Sequence, residues 1–456
     1  MKKIVKIANA QGFWGDSVNA PIEMLKYGDF DYLTLDYLAE VTISIMQRQK
    51  LKNPNLGYAK DFVDLVVGNI DLIKKNNIKI ITNAGGANPI ACAKEIKSII
   101  GDENQIKIAV INGDDIFDDL ESYVDSVDDF SNMDTKEKFD LVKDKITSAN
   151  VYVDSFCIKD ALKLDADIVL CGRVTDPGLS LGALLYEYNW KKDDYDKLAS
   201  GTLAGHIIEC GAQCTGGNFS DWKNVDDYDS IGYPIINVYE SGDFYVSKPE
   251  NSGGLLNKYT VIEQILYEMG DPQMYISPDV IVDFTSFEIL ELNNSVFIKN
   301  VKGKKPTDTY KVSLSYENGY KATGQLTVTG PDVYEKAVRT SEIIWNRLKR
   351  YNIEFSDKKT EFLGYSSCHK DIVPLPKNTN EIVLRLSVKD NDLNKIKSFS
   401  KEIAPVITNG PSGITGFSGG RPKAQNIIAY WPALISKNKI KTNVVIVWQA
   451  KVKISK

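Results

Sequence analysis

In the first half of the chain, apolar positions come in short runs that stop at glycine, asparagine or aspartate and give way to stretches in helical register. Ile4–Ala10 alternates as a strand and ends in Gln11-Gly12-Phe13-Trp14-Gly15-Asp16-Ser17. Tyr32–Tyr37 is the next strand, with Leu38-Ala39-Glu40 opening a helix to about Arg48. A helix from Tyr58 to Lys75 leads into the buried-type strand Ile78–Thr82. Asn83-Ala84-Gly85-Gly86-Ala87-Asn88-Pro89 follows, and its proline suits a first helical turn. Lys107–Ile111 ends in Asn112-Gly113-Asp114-Asp115, and Ala166–Cys171 ends in Gly172-Arg173-Val174-Thr175-Asp176-Pro177-Gly178. Strand, turn and helix repeating in this order predict an α/β fold with a mostly parallel, Rossmann-like sheet. In such a sheet the strand ends share one edge, where ligands bind and helix N-termini present free N–H groups.

From about Pro278 the rhythm changes. Val280–Leu290 and Val296–Val301 read as strands, and Tyr310–Tyr316 with Lys321–Val328 flank Glu317-Asn318-Gly319, a hairpin signal. A long amphipathic helix over Asp332–Tyr351 follows, then strand Glu381–Val388, a helix to about Ile403 and a last strand Asn443–Trp448. This predicts a second, α+β domain containing antiparallel strands, with the boundary at 277/278: residues 1–277 carry the glycine-rich strand-end loops and residues 278–456 form the second domain. The 456 residues exceed what one core usually serves, which agrees with two domains. Asp114 to Asn150, acidic and weakly periodic, reads as a surface insertion.

Charge narrows the partners. The net charge of −6 argues against nucleic acid, and the short basic piece Lys302-Gly303-Lys304-Lys305 reads as a solvated turn. No apolar stretch is long enough for a signal-peptide core or a membrane span, so a cytoplasmic protein with no membrane partner is expected. In that compartment the six cysteines are expected to be free thiols.

The densest chemistry lies in Gly205-His206-Ile207-Ile208-Glu209-Cys210-Gly211-Ala212-Gln213-Cys214. On one helix, His206, Cys210 and Cys214 would share a face, which invites a zinc reading. Residues eight apart on a helix are separated by about 12 Å along the axis, too far for one ion's short bonds. No metal ligands are assigned here, and a divalent metal is left open. A proton-transfer role suits the same residues better, since histidine titrates near neutrality and Glu209 can tune it. The plainer alternative is a buried helix in which His206 is a hydrogen-bonded core residue. The glycines of the strand-end loops either close tight turns or cradle a ligand; Asp16, Asn83, Asn88 and Arg173 beside them favour a site. Asn409–Lys423, with many glycines, is either an exposed connection or a loop bringing Arg421 to an anion.

Six stretches taken together resemble the AtuA family, named for acyclic terpene utilisation. They are Gly12-Phe13-Trp14-Gly15-Asp16, Asp36-Tyr37-Leu38-Ala39-Glu40, Asn83-Ala84-Gly85-Gly86-x-Asn88-Pro89, Gly172-Arg173-Val174-x-Asp176, Gly205-His206-x-x-Glu209-Cys210-Gly211-Ala212-Gln213 and Gly419-Gly420-Arg421-Pro422. The resemblance spans most of the chain. It implies a place in the breakdown of acyclic terpenoid or branched acids as CoA thioesters, and in small-carboxylate metabolism more widely. It also implies a separate small companion subunit.

These readings converge on an enzyme of lyase or hydro-lyase type acting on a small carboxylate or its CoA thioester. The catalytic candidates are His206 as acid or base, Glu209 orienting it, Asp176 or Glu40 as second proton-transfer group, and Cys210. Gly12, Gly15, Asp16, Asn83, Gly85, Gly86, Asn88, Arg173, Gln213 and Arg421 are the candidate substrate-binding residues. A homo-oligomer is expected. Two alternatives stand beside this: a non-catalytic ligand-binding or scaffold subunit working with the companion, and a transferase that uses Cys210 as a thiolate.

Overall fold

The computed structural model describes residues 3–101, 104–374, 376, 378–416 and 420–447. Gly419 and Trp448, named above, lie outside the described residues. The chain forms two compact units, residues 1–315 with 430–456, and residues 316–429. The expected boundary stood at 277/278. The unit boundary falls later because strands beyond that point join the first sheet, and the chain returns to that sheet near its end.

The first unit is built on β1 (Ile4–Asn9), β2 (Tyr32–Leu35), β3 (Lys79–Thr82), β4 (Ile108–Asn112), β5 (Ile146–Val151), β6 (Ile168–Leu170), β7 (Ile235–Tyr239) and β8 (Phe244–Ser247). Among the described residues the main sheet has ten strands, in the order Glu288–Leu292, Ser295–Lys299, β8, β7, β1, β2, β3, β6, β4, Asn443–Val447. The five strands β1-β2-β3-β6-β4 run parallel, and the flanking pairs are antiparallel. The fold is therefore α/β with a parallel core, as its strand-turn-helix rhythm requires. β2 and β6 are buried at every position, which is why they read as unbroken apolar runs rather than alternating ones. No helix among the described residues is long and apolar enough to cross a membrane.

The expected hairpin at Glu317-Asn318-Gly319 is instead the middle of one long strand, Thr309–Thr329. Several strands pair along it and keep it extended, Gln425–Ser436 among them. β5 pairs with it near its start, where Tyr152 N–H donates to the Lys311 carbonyl. Glu381–Asp390 pairs with its later part, from Tyr320 opposite Asp390 to Thr329 opposite Glu381. Gly319 takes φ +79° between these two partners, so the turn residue serves as a kink within a continuous strand.

The second unit packs helices Val333–Arg350 and Leu393–Glu402 on an antiparallel sheet that includes Asp357–Leu363 and Glu381–Asp390. Its core is its own, with Leu326, Ile344, Leu384 and Phe399 all buried.

Candidate active site

The parallel strands deliver polar side chains to their carboxyl ends, where each is buried and hydrogen-bonded. Asp36, just past β2, accepts from Asn83 Nδ2 (2.7 Å) and from the Leu38 N–H (3.0 Å). Asn83, just past β3, also takes the Tyr37 N–H on its Oδ1 (2.7 Å). Asp114, past β4, accepts the backbone N–H of Arg173 (2.7 Å) and Asn150 Nδ2 (3.1 Å). Burial pushes the Asp36 carboxyl up to about 7, with the Asp176 charge adding to it against Arg173 and Asn83. Burial likewise lifts Asp114 to about 6.

Arg173 ties this layer together. Its Nη1 donates to the Leu38 carbonyl (2.7 Å), its Nη2 to Asp176 Oδ1 (2.5 Å), and its Cζ lies 4.0 Å from the Tyr152 ring centre. The hydroxyl of Tyr152 serves Glu40: it donates to Glu40 Oε1 at 2.6 Å, with Lys311 Nζ 3.5 Å from the same oxygen. Burial alone would raise Glu40, but the Tyr152 hydrogen bond and the Arg173 charge outweigh it and bring the carboxyl down to about 2.

Helix Tyr195–Glu209 brings the histidine to this layer. Gly205 permits the approach: a Cβ there would sit 2.6 Å from the Pro177 carbonyl oxygen, so only glycine lets the helix lie so near the residue after Asp176. His206 is buried against the stacked rings of Tyr275 and Phe284, with ring centres 5.4 and 5.5 Å away. Its Nε2 faces the Ile265 carbonyl at 3.3 Å and its Nδ1 faces Glu209 Oε1 at 2.9 Å. Burial disfavours the imidazolium, but the charge and hydrogen bond of Glu209 prevail and raise the His206 pKa. Burial also pushes Glu209 up to about 7, against the pull of His206. Both shifts point the same way, so the pair retains a proton near neutrality. Glu209 Oε2 is buried with no hydrogen-bond partner.

A cavity of about 370 Å³ opens beside this pair, lined by Asp176, His206, Glu209, Glu268, Tyr152, Tyr275 and Lys311 among others. Thr175 and Thr309 add hydroxyls, and Ile276, Pro278 and Leu434 add apolar surface. The size and the mixture of apolar wall and convergent polar groups suit a small molecule.

Of the residues singled out from sequence, His206, Glu209 and Asp176 meet at this cavity, and Arg173 and Glu40 stand directly behind it. Arg173 is 3 % exposed and both its Nη groups are committed to protein oxygens, while its Nε is buried without a hydrogen-bond partner. The loop after β6 reaches the cavity through Thr175 and Asp176, whereas the glycine-rich loops after β1 and β3 are not among its lining residues. Asp16 accepts from the Gly12 N–H and the Tyr233 hydroxyl, Asn88 caps helix Pro89–Ile100, and Gly12 and Gly85 lie against the backbone of Cys210 and Cys171. Gly15 and Gly86 take left-handed backbone conformations in the same turns. Gln213 is half-buried in the 3-10 turn Gly211–Thr215, and Arg421 is exposed in the second unit.

The shared helical face expected of His206, Cys210 and Cys214 does not form. The helix stops at Glu209, and Cys214 lies in the following 3-10 turn. Among the described residues no three His, Cys, Asp or Glu side chains group as a metal's ligands would. Burial and the neighbouring Glu209 raise the Cys210 thiol well above its usual range, opposite to the shift that makes a nucleophilic thiolate.

Lys311, Tyr152 and Tyr275 carry no signal in the linear sequence. Lys311 is one ordinary polar position of the strand read over Tyr310–Tyr316, Tyr152 and Tyr275 lie outside the stretches singled out above, and only long-range packing brings the three to the His206 cavity.

No curated protein and no solved structure matches this chain. Residues 5–446 match the family model described as acyclic terpene utilisation family protein AtuA, and the chain belongs to that family.

Proposed function

We propose that the cavity is the active site of an enzyme that adds water to, or removes it from, a small acyclic acid or its acyl thioester by general acid/base catalysis. The observation that carries this reading is the buried His206–Glu209 pair, which holds a proton near neutrality beside a cavity that also presents a lysine ammonium. A proton-transfer group works best with a pKa near the working pH, and Glu209 at about 7 can both give and take a proton there. His206 Nε2 has the Ile265 carbonyl as its partner, so proton traffic in the pair runs between Nδ1 and Glu209 Oε1. Glu209 is then the group that meets the substrate, and His206 positions it and shares its proton. Asp176, held by Arg173 and 40 % exposed, is the second proton-transfer group. Glu40 and Arg173 fix Tyr152 and Asp176 in place.

The test is incubation of the purified protein with acyclic hydroxy and unsaturated acids, free and as CoA thioesters, followed by mass analysis for gain or loss of water. Turnover that falls by ~10²–10⁴-fold in Glu209→Gln is the expected result. Tight binding of these compounds without turnover, alone or with a companion subunit, would transfer the site to a ligand-sensing role.

A further inference from the structure

Two opposite poles face the same cavity, and they specify what the substrate carries. This inference rests on the acid/base reading above. Asp176, Glu209 and Glu268 form the acidic pole. Lys311 is the cationic side chain among the described lining residues, and its protein contacts leave it a donor to spare. An ammonium has three N–H groups. Glu40 lies 3.5 Å away, and its Oε1 already takes a 2.6 Å hydrogen bond from Tyr152. Of the two aromatic neighbours, Tyr152 presents its ring face at 4.7 Å, and Tyr430 presents its ring at 5.5 Å and its hydroxyl oxygen as a second acceptor, so Glu40 and Tyr430 leave one N–H for a ligand. Burial opposes charging Lys311, but Tyr430 and Glu40 prevail and keep it an ammonium. Ile276, Pro278 and Leu434 line the same cavity and accept hydrocarbon. At the acidic pole, Glu209 Oε2 is a buried acceptor, or donor when protonated, that lacks any partner. A buried polar atom left in that state costs free energy that a bound hydroxyl would recover.

We infer that this cavity takes a hydroxy acid with a free carboxylate: the carboxylate binds Lys311 and the hydroxyl meets Glu209. An acyl group whose only carboxyl is tied up in a thioester would leave the ammonium without its anion. In dehydration the C–O bond breaks with its electron pair on oxygen, and protonated Glu209 supplies the proton that completes a water molecule. The electron pair of an adjacent C–H bond becomes the C=C bond, and that proton passes to Asp176. The products are the unsaturated acid and water, with no net change in oxidation state, and hydration is the reverse.

The experiment is calorimetric titration of the intact protein with 2- and 3-hydroxybutyrate and their methyl esters. It is repeated with Lys311→Met and Lys311→Arg, alongside turnover of the same acids and of acyl-CoA thioesters. A charged hydrogen bond contributes about 1.5–3 kcal/mol, so the acid should bind ~10–100-fold more tightly than its ester. Lys311→Met should erase that preference, while Lys311→Arg, which keeps the charge, should retain much of it. Equal binding of acid and ester, no binding of either, or an unchanged preference in Lys311→Met overturns the inference. Turnover of CoA thioesters with kinetics insensitive to Lys311→Met also overturns it, yet leaves the acid/base reading standing. Lys311-dependent binding of the acid without turnover upholds the carboxylate pole and removes the catalytic reading instead.

Discussion

An imidazole whose Nε2 is taken by a backbone carbonyl has one nitrogen left for proton exchange, and in His206 that nitrogen faces Glu209. The two residues should therefore respond differently to substitution. Glu209→Gln removes the proton carrier and should cost most of the turnover. His206→Gln removes the charge that holds the Glu209 pKa down, so Glu209 should titrate at higher pH. The expected result is a kcat/KM profile displaced toward alkaline pH with residual activity; loss of activity at every pH, in a folded variant, would return the principal role to His206. The buried carboxylates make a second prediction. Asp36 and Asp114, pushed up to about 7 and about 6, bind protons more tightly in the folded chain than in the unfolded one. Their contribution to stability is complete below about pH 4 and is lost as pH rises through those folded values. Wild type should thus lose melting temperature relative to Asp36→Asn between about pH 5 and pH 8, measured by thermal denaturation. A difference between the two proteins that does not vary with pH would contradict the shift. Glu40 works in the opposite window: its stabilisation is lost only as pH falls from its ordinary value toward about 2.

At the level of elements, the site depends on how near helix Tyr195–Glu209 comes to the turn after β6. Gly205→Ala would place a methyl 2.6 Å from the Pro177 carbonyl oxygen, a backbone atom that cannot swing aside. Overpacking of this kind typically costs about 1–3 kcal/mol. The variant should melt earlier and lose turnover disproportionately, because the helix must move off Asp176; an unchanged kcat would mean that the spacing is not critical. Much of this arrangement is legible in sequence. β1 announces itself by alternation and β2, β3, β4 and β6 by short, largely apolar buried runs, and the polar residue that ends each marks the ligand edge. His206 and Glu209 stand out because two polar residues share one turn of an otherwise apolar, small-residue helix. Other parts are not local. Glu317-Asn318-Gly319 has the composition of a turn, and pairing with β5, Glu381–Asp390 and Gln425–Ser436, all distant in sequence, keeps its strand extended. Lys311 occupies an ordinary alternating strand, and the stacking on Tyr152 and Tyr430 that distinguishes it joins positions far apart in the chain. The strand-end glycine loops advertise a site more loudly than they line the cavity. Their polar residues serve largely to fix the turns and caps beside it.

The whole molecule keeps its chemistry in one of its two units. Each named residue of the cavity, including Leu434, belongs to residues 1–315 or 430–456. Leu384 is fully buried in the core of the other unit. Leu384→Ala should destabilise that unit by about 2–5 kcal/mol. Ligand affinity measured well below the transition should stay within a factor of about two of wild type, since ΔΔG values of sites that share no partners rarely couple. A large loss of affinity would show that residues 316–429 act on the site.

The return of the chain to its first sheet also bears on how the protein is made. Asn443–Val447 pairs with β4, and Leu434 and Tyr430 stand by Lys311, yet all are translated after residues 316–429. A ribosome releases the His206 helix long before the residues that finish its cavity exist. The first unit must therefore wait with an open sheet edge at β4 while the second is synthesised. That exposed edge is a template for wrong pairing until its own strand arrives. Stalled nascent chains arrested before residue 430 should be cut readily by protease within the β4 region and bind no ligand. Chains released in full should resist cleavage there.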